Sequence, residues 1–580
     1  MIEFKPEKLS IVNFRGIPSF DLDIVESTPT YLIGPNNAGK STVLQAIAFA
    51  FKAGSFYKFT ANEYDFYHKS NNEQENRFAI KIDFKSLDKL PSVHTVGQVK
   101  EVRSIQVKGH YYRTSGRIEC SHRLLDKNGD SIVLTTETNT SKKDAQNYEE
   151  CGHGFKVRNA RLDDISKYIP DLWLLSSSNL EASLYSWKTG PLNKLANILS
   201  KKFFEEEWEF EFGGNKRSMP KDIKRAHDFF SSAIKEFPYW KENLKPALET
   251  SLSTYLGKQT SIELNPLLQC IEDWLQQQLF LSFAAEMGAV FTPLERMGDG
   301  FQSLVRLAAL EVLAETDEIK KGNVVMLYEE PETYLHPHLK RKLRNIFDTL
   351  AEKGWHIFCA THAPEFISFE RRQSISRIIR GKDAIKHGHI LTGDIPNNLK
   401  LQEKIDEYGN HEIFFAQKII LCEGKDDYFA IKSYLEMSNI DVEAISLSIL
   451  SCGGVENIPF FAEIAHKLKI PFCAVSDTDL DNSGLVKAKT KKARDKILSL
   501  KSPSDEIVEW DNNLEDCFMA PLVKQSNERK KVTPEWQRDS VFIESFNVIK
   551  TKYPAYNKAC ETIVKWLVAQ PQESVSEDFG

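Results

Sequence analysis

The chain has 580 residues, of which 41% are hydrophobic and 27% charged, and a formal net charge of −7; that length predicts roughly two to four domains rather than one core. No apolar run reaches bilayer length and MIEFKPEKLS lacks a signal core, so a cytoplasmic protein is expected; nine cysteines without a CxxC pair argue against a zinc ribbon or a disulfide framework. The acidic total lends no support to nucleic-acid binding but does not exclude it, because a phosphate backbone needs only a local basic surface.

The chain opens with two short apolar stretches around a turn, LSIVNFRGIPSFDLDI. YLIGPNNAGKSTVLQAIAFAF then reads as strand, loop and helix. Within it Gly34, Gly39, Lys40 and Ser41 fit G-x-x-x-x-G-K-[ST]. The glycines, with Asn37 between them, let backbone N–H groups wrap phosphate oxygens. Lys40 reaches the β- and γ-phosphates of a nucleotide, and Ser41, followed by Thr42, is placed to hold Mg²⁺. Alternating runs from Arg77 to Thr135 predict strands, with Asn128-Gly129 as a hairpin turn. Residues 191–285 read as a helical insertion, expected to serve dimerisation.

Further on, Arg296 to Ser303 places Gly298, Gly300, Gln302 and Ser303 at a helix start, which is an anion-binding geometry. The run NVVMLYEEP is a buried-type strand ending in two carboxylates. Glu329 is assigned to magnesium through water, and Glu330 to polarising the attacking water. A second apolar strand, Ile357 to Thr361, ends at His362, placed to sense the γ-phosphate. The expected divisions are a first α/β part over 1–190, the insertion over 191–285, the rest of that α/β part over 286–395, a linker over 396–414 and a second α/β unit over 415–575.

In the second unit KIILCEGKDD ends a strand at Glu423 and adds Asp427. FCAVSDTD ends another strand at Asp477 and adds Asp479. If the two strands are parallel neighbours, their C-terminal ends bring these acids together. Asp477 and Asp479 point to one side if the strand geometry persists. A lone D-x-D is most often a solvated strand end. Both strand ends together, with Gly453-Gly454 between them, suit hard oxygen-liking ions, Mg²⁺ or Mn²⁺, and phosphodiester chemistry. Lys487, Lys489, Lys491, Lys492, Arg494 and Lys496 follow directly, as a solvated helix face or a phosphate track.

The order of the first motifs, with Asn13-Phe14-Arg15-Gly16 near the start, resembles the ABC-type ATPase heads of SMC-like and RecF-like proteins. That resemblance implies ATP as cofactor and dimerising heads that present Gly300, Gln302 and Ser303 to a partner's nucleotide. E-G-x-x-D at Glu423, the glycine pair and D-x-D resemble a Toprim domain. An ABC-type head followed by Toprim is the architecture of the OLD (overcoming lysogenisation defect) nucleases, a group that includes the Gabija defence nuclease and retron-associated effectors. The resemblance implies a metal-dependent DNA endonuclease of the α/β class, regulated by its ATPase head and acting in antiphage defence. It implies a homo-oligomer, dimer or tetramer, and a possible helicase or reverse transcriptase and non-coding RNA partner. It further implies an acidic element, matched by Glu515, and a late lysine, matched by Lys558 with Lys552 as competitor. The alternatives are an SMC/RecF-like repair ATPase with an inactive or accessory Toprim domain, and a topoisomerase or primase.

Overall fold

A computed structural model describes chiefly residues 5–52, 61–68, 74–85, 92–95, 98–137, 155–159, 170–176, 298–315, 324–380, 385–392, 410–480, 484–514 and 553–569, with isolated positions between them. The expected insertion over 191–285 and the expected linker fall largely outside these residues, as do Glu515 and Lys552. The chain divides into two compact units, 1–173 with 321–580, and 174–320.

In chain order the first unit contains β1 (Pro6–Phe14), β2 (Ile17–Asp23), β3 (Thr30–Ile33), α1 (Lys40–Lys52), β4 (Arg77–Phe84), β5 (Ser104–Tyr112) and β6 (Arg117–Leu125). After residue 321 come β7 (Val324–Glu329), α2 (Pro337–Glu352), β8 (His356–Ala360), β9 (Ser374–Arg380) and β10 (Ile385–Leu391). The C-terminal part adds β11 (Lys418–Cys422), α3 (Lys425–Met437), β12 (Leu447–Ser451), α4 (Ile458–Lys467), β13 (Phe472–Asp477), α5 (Ala488–Leu500), β14 (Glu506–Trp510) and α6 (Pro554–Ala569).

The early strands pair antiparallel in the order β2–β1–β4–β5–β6. Their period-two pattern buries one face, as in β4 where Phe78, Ile80, Ile82 and Phe84 are buried. Phe14, Phe78 and Phe49 of α1 meet edge to face, which seats this sheet on the helix after the glycine loop. Downstream of β6, Asp126 and Gly129 close the expected turn, with the Gly129 N–H on the Asp126 carbonyl.

The second sheet runs β7–β8–β3–β9–β10, parallel up to an antiparallel β10. Asp171–Ser176 is its other edge, of which Asp171–Trp173 belong to this unit. β3, β7 and β8 are almost wholly apolar and buried, as strands covered on both faces must be. The glycine loop therefore leaves the middle of the sheet, with β8 between it and the acidic end of β7. The third sheet is parallel, β12–β11–β13–β14, with its core shared by α3 and α6.

Asp348, on α2, is 5% exposed, and neither of its carboxylate oxygens accepts a hydrogen bond among the described residues. Burial pushes its carboxyl up to about 6, against the pull of Arg371, 3.5 Å away, and of Arg344. The native state thus holds this proton more tightly than the unfolded chain does. Stability contributed here falls as pH rises from the ordinary carboxylate range to about 6, and stays lower above it. Asp348→Asn is expected to stabilise the fold by about 2 kcal/mol at pH 8 and to be neutral near pH 4. Urea unfolding at the two pH values checks this; equal curves at pH 8 contradict it.

Candidate functional site

The glycine loop has the backbone its composition requires. Gly34 has φ 140° and a Cβ there would lie 2.2 Å from the Ile378 carbonyl oxygen of β9; Gly39 has φ 107°. Asn37, also left-handed at φ 59°, is exposed at the loop tip. Lys40 opens α1, and its Nζ donates to the carbonyls of Gly34 at 3.0 Å and Pro35 at 2.8 Å. Ser41 and Thr42 follow in the first turn, half-buried. Arg15 pairs with Asp65 at 2.8 Å and bonds Gln45 of α1, so the Asn13–Gly16 turn braces this helix.

Three carboxylates face the loop. Burial lowers Lys40 to about 8, and the charges of Glu330, Glu332 and Glu329 oppose that fall. Glu329 ends β7 in register with Ala360, and Glu330 follows at φ 48° with its N–H on the Ala360 carbonyl. Glu332 was not singled out by sequence. Its Oε1 accepts the His362 N–H at 2.6 Å and its Oε2 the Thr361 hydroxyl at 2.8 Å, and burial raises its carboxyl. It thereby fixes the end of β8. Burial, reinforced by the Lys40 charge, pushes His362 down to about 4, so the imidazole is neutral at pH 7.

In the other compact unit the helix Asp299–Glu315 starts at the expected place, with the Phe301 and Gln302 N–H groups turned back onto Gly298. Gly300 is half-buried; Gln302 and Ser303 are buried.

The acids of the third sheet converge on one edge. β11 and β13 are parallel neighbours, and Glu423 Oε1 accepts the Asp477 N–H at 2.8 Å. The Gly453-Gly454 turn after β12 closes over them, with the Gly454 N–H on the Glu423 carbonyl. Asp477 Oδ1 accepts the Leu514 N–H at 3.2 Å. Burial pushes Glu423 up to about 6; the Asp477 N–H opposes this, and the charges of Asp427 and Asp479 add to it.

Two details differ from expectation. The strand stops at Asp477, and Asp479 turns to φ 53°, so it is placed by the Asn512 carbonyl on its N–H rather than by strand alternation. Both oxygens of Asp427 serve the fold: Oδ2 caps α3 through the Gly424 N–H at 2.9 Å, and Oδ1 takes the buried Trp510 indole N–H at 2.7 Å. Among the described residues no three acids stand at ligating distance from one another. The donor type nonetheless fits a hard divalent ion. Glu423, Asp477 and Asp479 are the residues that would hold it, once Asp479 leaves the Lys487 ammonium at 2.8 Å and the Thr490 hydroxyl at 3.0 Å.

The sequence pattern of the AAA ATPase domain matches residues 5–367, and that of the overcoming lysogenization defect protein-like TOPRIM domain matches 414–479. The chain belongs to the AAA ATPase domain family and carries an OLD-like TOPRIM domain after it. An OLD nuclease of Thermus scotoductus (strain ATCC 700910 / SA-01) is 22% identical over 487 residues, 82% of either chain. The Endonuclease GajA of Bacillus cereus (strain HuB5-5) is 20% identical over 525 residues, covering 81% of this chain and 73% of that one. The Old nuclease of Escherichia phage P2 is 22% identical over 204 residues, 33% of this chain and 34% of that one.

In this chain the lysine run on α5 is largely occupied by ion pairs. Lys489 pairs with Glu456 at 2.6 Å, Arg494 with Glu509 at 2.9 Å and Lys496 with Glu463 at 3.4 Å. Lys491 and Lys492 are exposed and form no ion pair among the described residues. Such surface pairs contribute about 0–1 kcal/mol each and re-form readily around a phosphate. Lys558 lies exposed on α6 and forms no ion pair among the described residues.

Proposed function

We propose that this chain is an ATP-binding DNA endonuclease that hydrolyses phosphodiesters at the Glu423–Asp477–Asp479 edge with Mg²⁺ or Mn²⁺. The bond from the Asp477 N–H to Glu423 carries the reading, because it puts acids from two separate strand ends on one centre. The relatives named as nucleases support it, two of them over more than four-fifths of this chain. A divalent ion bound there supplies a more acidic water and stabilises the leaving oxygen. Glu423, Asp477 and Asp479 orient it, and the Asp477 N–H keeps one Glu423 oxygen in place.

In the head, the N–H groups from Gly34 to Gly39 and Lys40 take the phosphates of ATP, with Ser41, Thr42 and Glu329 around its magnesium. Glu330 polarises the attacking water and neutral His362 reads the γ-phosphate. Gly300, Gln302 and Ser303 address the nucleotide of a second copy, so the active form is a homo-oligomer, a dimer or a tetramer. ATP binding regulates cleavage, the setting is cytoplasmic antiphage defence, and a helicase or a reverse transcriptase with its RNA is the class of partner. No helix among the described residues is long and apolar enough to cross a membrane.

Lys40→Ala tests the two-centre reading. ATP hydrolysis is expected to fall about a hundredfold or more, since the phosphate-binding ammonium is gone, while divalent-ion binding by the acidic edge persists. In the same assay, plasmid DNA is incubated with each ion, with and without ATP. ATP should alter cutting by wild type and leave cutting by the variant unchanged. Intact ATP hydrolysis with no cutting under any condition would favour an SMC/RecF-like repair ATPase with an accessory Toprim domain.

A further inference from the structure

Asp479 is the least free of the three acids, and what holds it is a lysine. Lys487 Nζ sits 2.8 Å from Asp479 Oδ1, while Thr490 of the same helix donates to Oδ2 at 3.0 Å. This is not a wandering surface side chain. The Lys487 N–H bonds the Asp479 carbonyl at 3.0 Å, and Leu480 bridges Val486, so a short hairpin fixes the lysine backbone beside the aspartate. The neighbouring cations Lys489, Arg494 and Lys496 are turned to Glu456, Glu509 and Glu463, whereas Lys487 is ion-paired to an acid of the centre. Its ammonium feels Asp479 first and then the charges of Asp477 and Glu423.

We propose that Lys487 is a working residue of the acidic centre: it occupies Asp479 as an internal cation, yields that carboxylate to an incoming divalent ion, and then meets a non-bridging oxygen of the scissile phosphodiester. The proposal rests on the nuclease reading above. A divalent ion and an ammonium compete for the same carboxylate, so entry of the ion must displace Lys487. The hairpin confines the displaced amine to the edge where the phosphate has to lie. A lysine there offsets negative charge that develops on the phosphate. The role that family resemblance gives to Lys558, with Lys552 as competitor, thus has a further claimant, one ion-paired to Asp479.

Mn²⁺ binding followed by electron paramagnetic resonance, without DNA, separates the two parts. The full chain is compared with Lys487→Met, Lys487→Arg and Glu423→Gln, and the same proteins are assayed on plasmid DNA. Lys487→Met removes the competitor and is expected to bind Mn²⁺ about three- to tenfold more tightly, yet to cut at least about tenfold more slowly. Lys487→Arg, which keeps the charge, should restore part of the cutting and part of the competition. Because the side chain is exposed, neither variant burdens the fold. Unchanged or weaker Mn²⁺ binding by Lys487→Met, or cutting at the wild-type rate, overturns the role given to the lysine. Wild type that takes up no more Mn²⁺ than Glu423→Gln overturns the metal-centre reading beneath it, and the two failures are told apart by that comparison.

Discussion

Glu423→Ala is expected to lower DNA cleavage by about a thousandfold, on the order of 4 kcal/mol in the barrier, with ATP hydrolysis within about twofold of wild type. Glu423 is the acid through which the ends of β11 and β13 are joined, since its Oε1 takes the Asp477 N–H while the Gly454 N–H rests on its carbonyl. Removing the carboxylate takes away a ligand and also leaves Asp477 less well placed. Glu423→Gln separates these effects, because an amide oxygen still accepts from Asp477 but carries no charge. Cleavage by Glu423→Gln should be nearly as poor as by Glu423→Ala if charge dominates. Nicking of supercoiled plasmid and phosphate release measure the two activities side by side. A folded Glu423→Ala protein that loses both equally sinks the view of two separable centres.

The second large effect lies between the last two strands of the second sheet and the elements around the third. Arg377 of β9 and Gly388 of β10 are cross-strand partners. The Arg377 guanidinium, buried, donates to the Ala416 carbonyl at 2.6 Å and reaches the Leu468 carbonyl at 3.5 Å. A Cβ on Gly388 would stand 2.4 Å from the backbone of Leu468, the residue that ends α4. No side chain fits there unless one of the two backbones moves. Gly388→Ala is therefore expected to cost about 2 kcal/mol of stability, and a larger residue more. Urea unfolding of the full chain measures this, with Gly16→Ala, whose Cβ would meet nothing within 4 Å and whose backbone is not left-handed, as a control for loss of glycine alone. Stability unchanged by Gly388→Ala would mean that the close approach is not part of the folded protein.

How much of this was legible in the sequence follows from how far each residue reaches. The glycine loop is local: strand, φ-positive glycines and helix lie within a few residues, and the structure repeats what the motif dictates. The meeting of Glu423 and Asp477 was also readable, because parallel strands in such sheets put their carboxyl ends together. Glu332 stood in plain sight within MLYEEPET. Its bonds to Thr361 and His362 depend on β7 lying beside β8, which no spacing reveals. Asp427 looked like a ligand because its partner, the Trp510 indole, comes from β14, far along the chain. The lysine run on α5 looked like a free track because the glutamates that hold it come from β14, α4 and the turn before α4. Asp479 left strand alternation because a left-handed residue after Thr478 was not foreseeable from S-D-T-D.

The strand Ser374–Arg380 touches both the glycine loop and the C-terminal part within two consecutive residues. Ile378 offers the carbonyl against which Gly34 of the phosphate loop is packed, and Arg377, its neighbour, grips the carbonyls of Ala416 and Leu468. Cutting the chain between Leu391 and Asn410 would therefore not release two tidy halves. One fragment would keep a stranded guanidinium, and the other would lose the wall against which Ala416 and the end of α4 are seated.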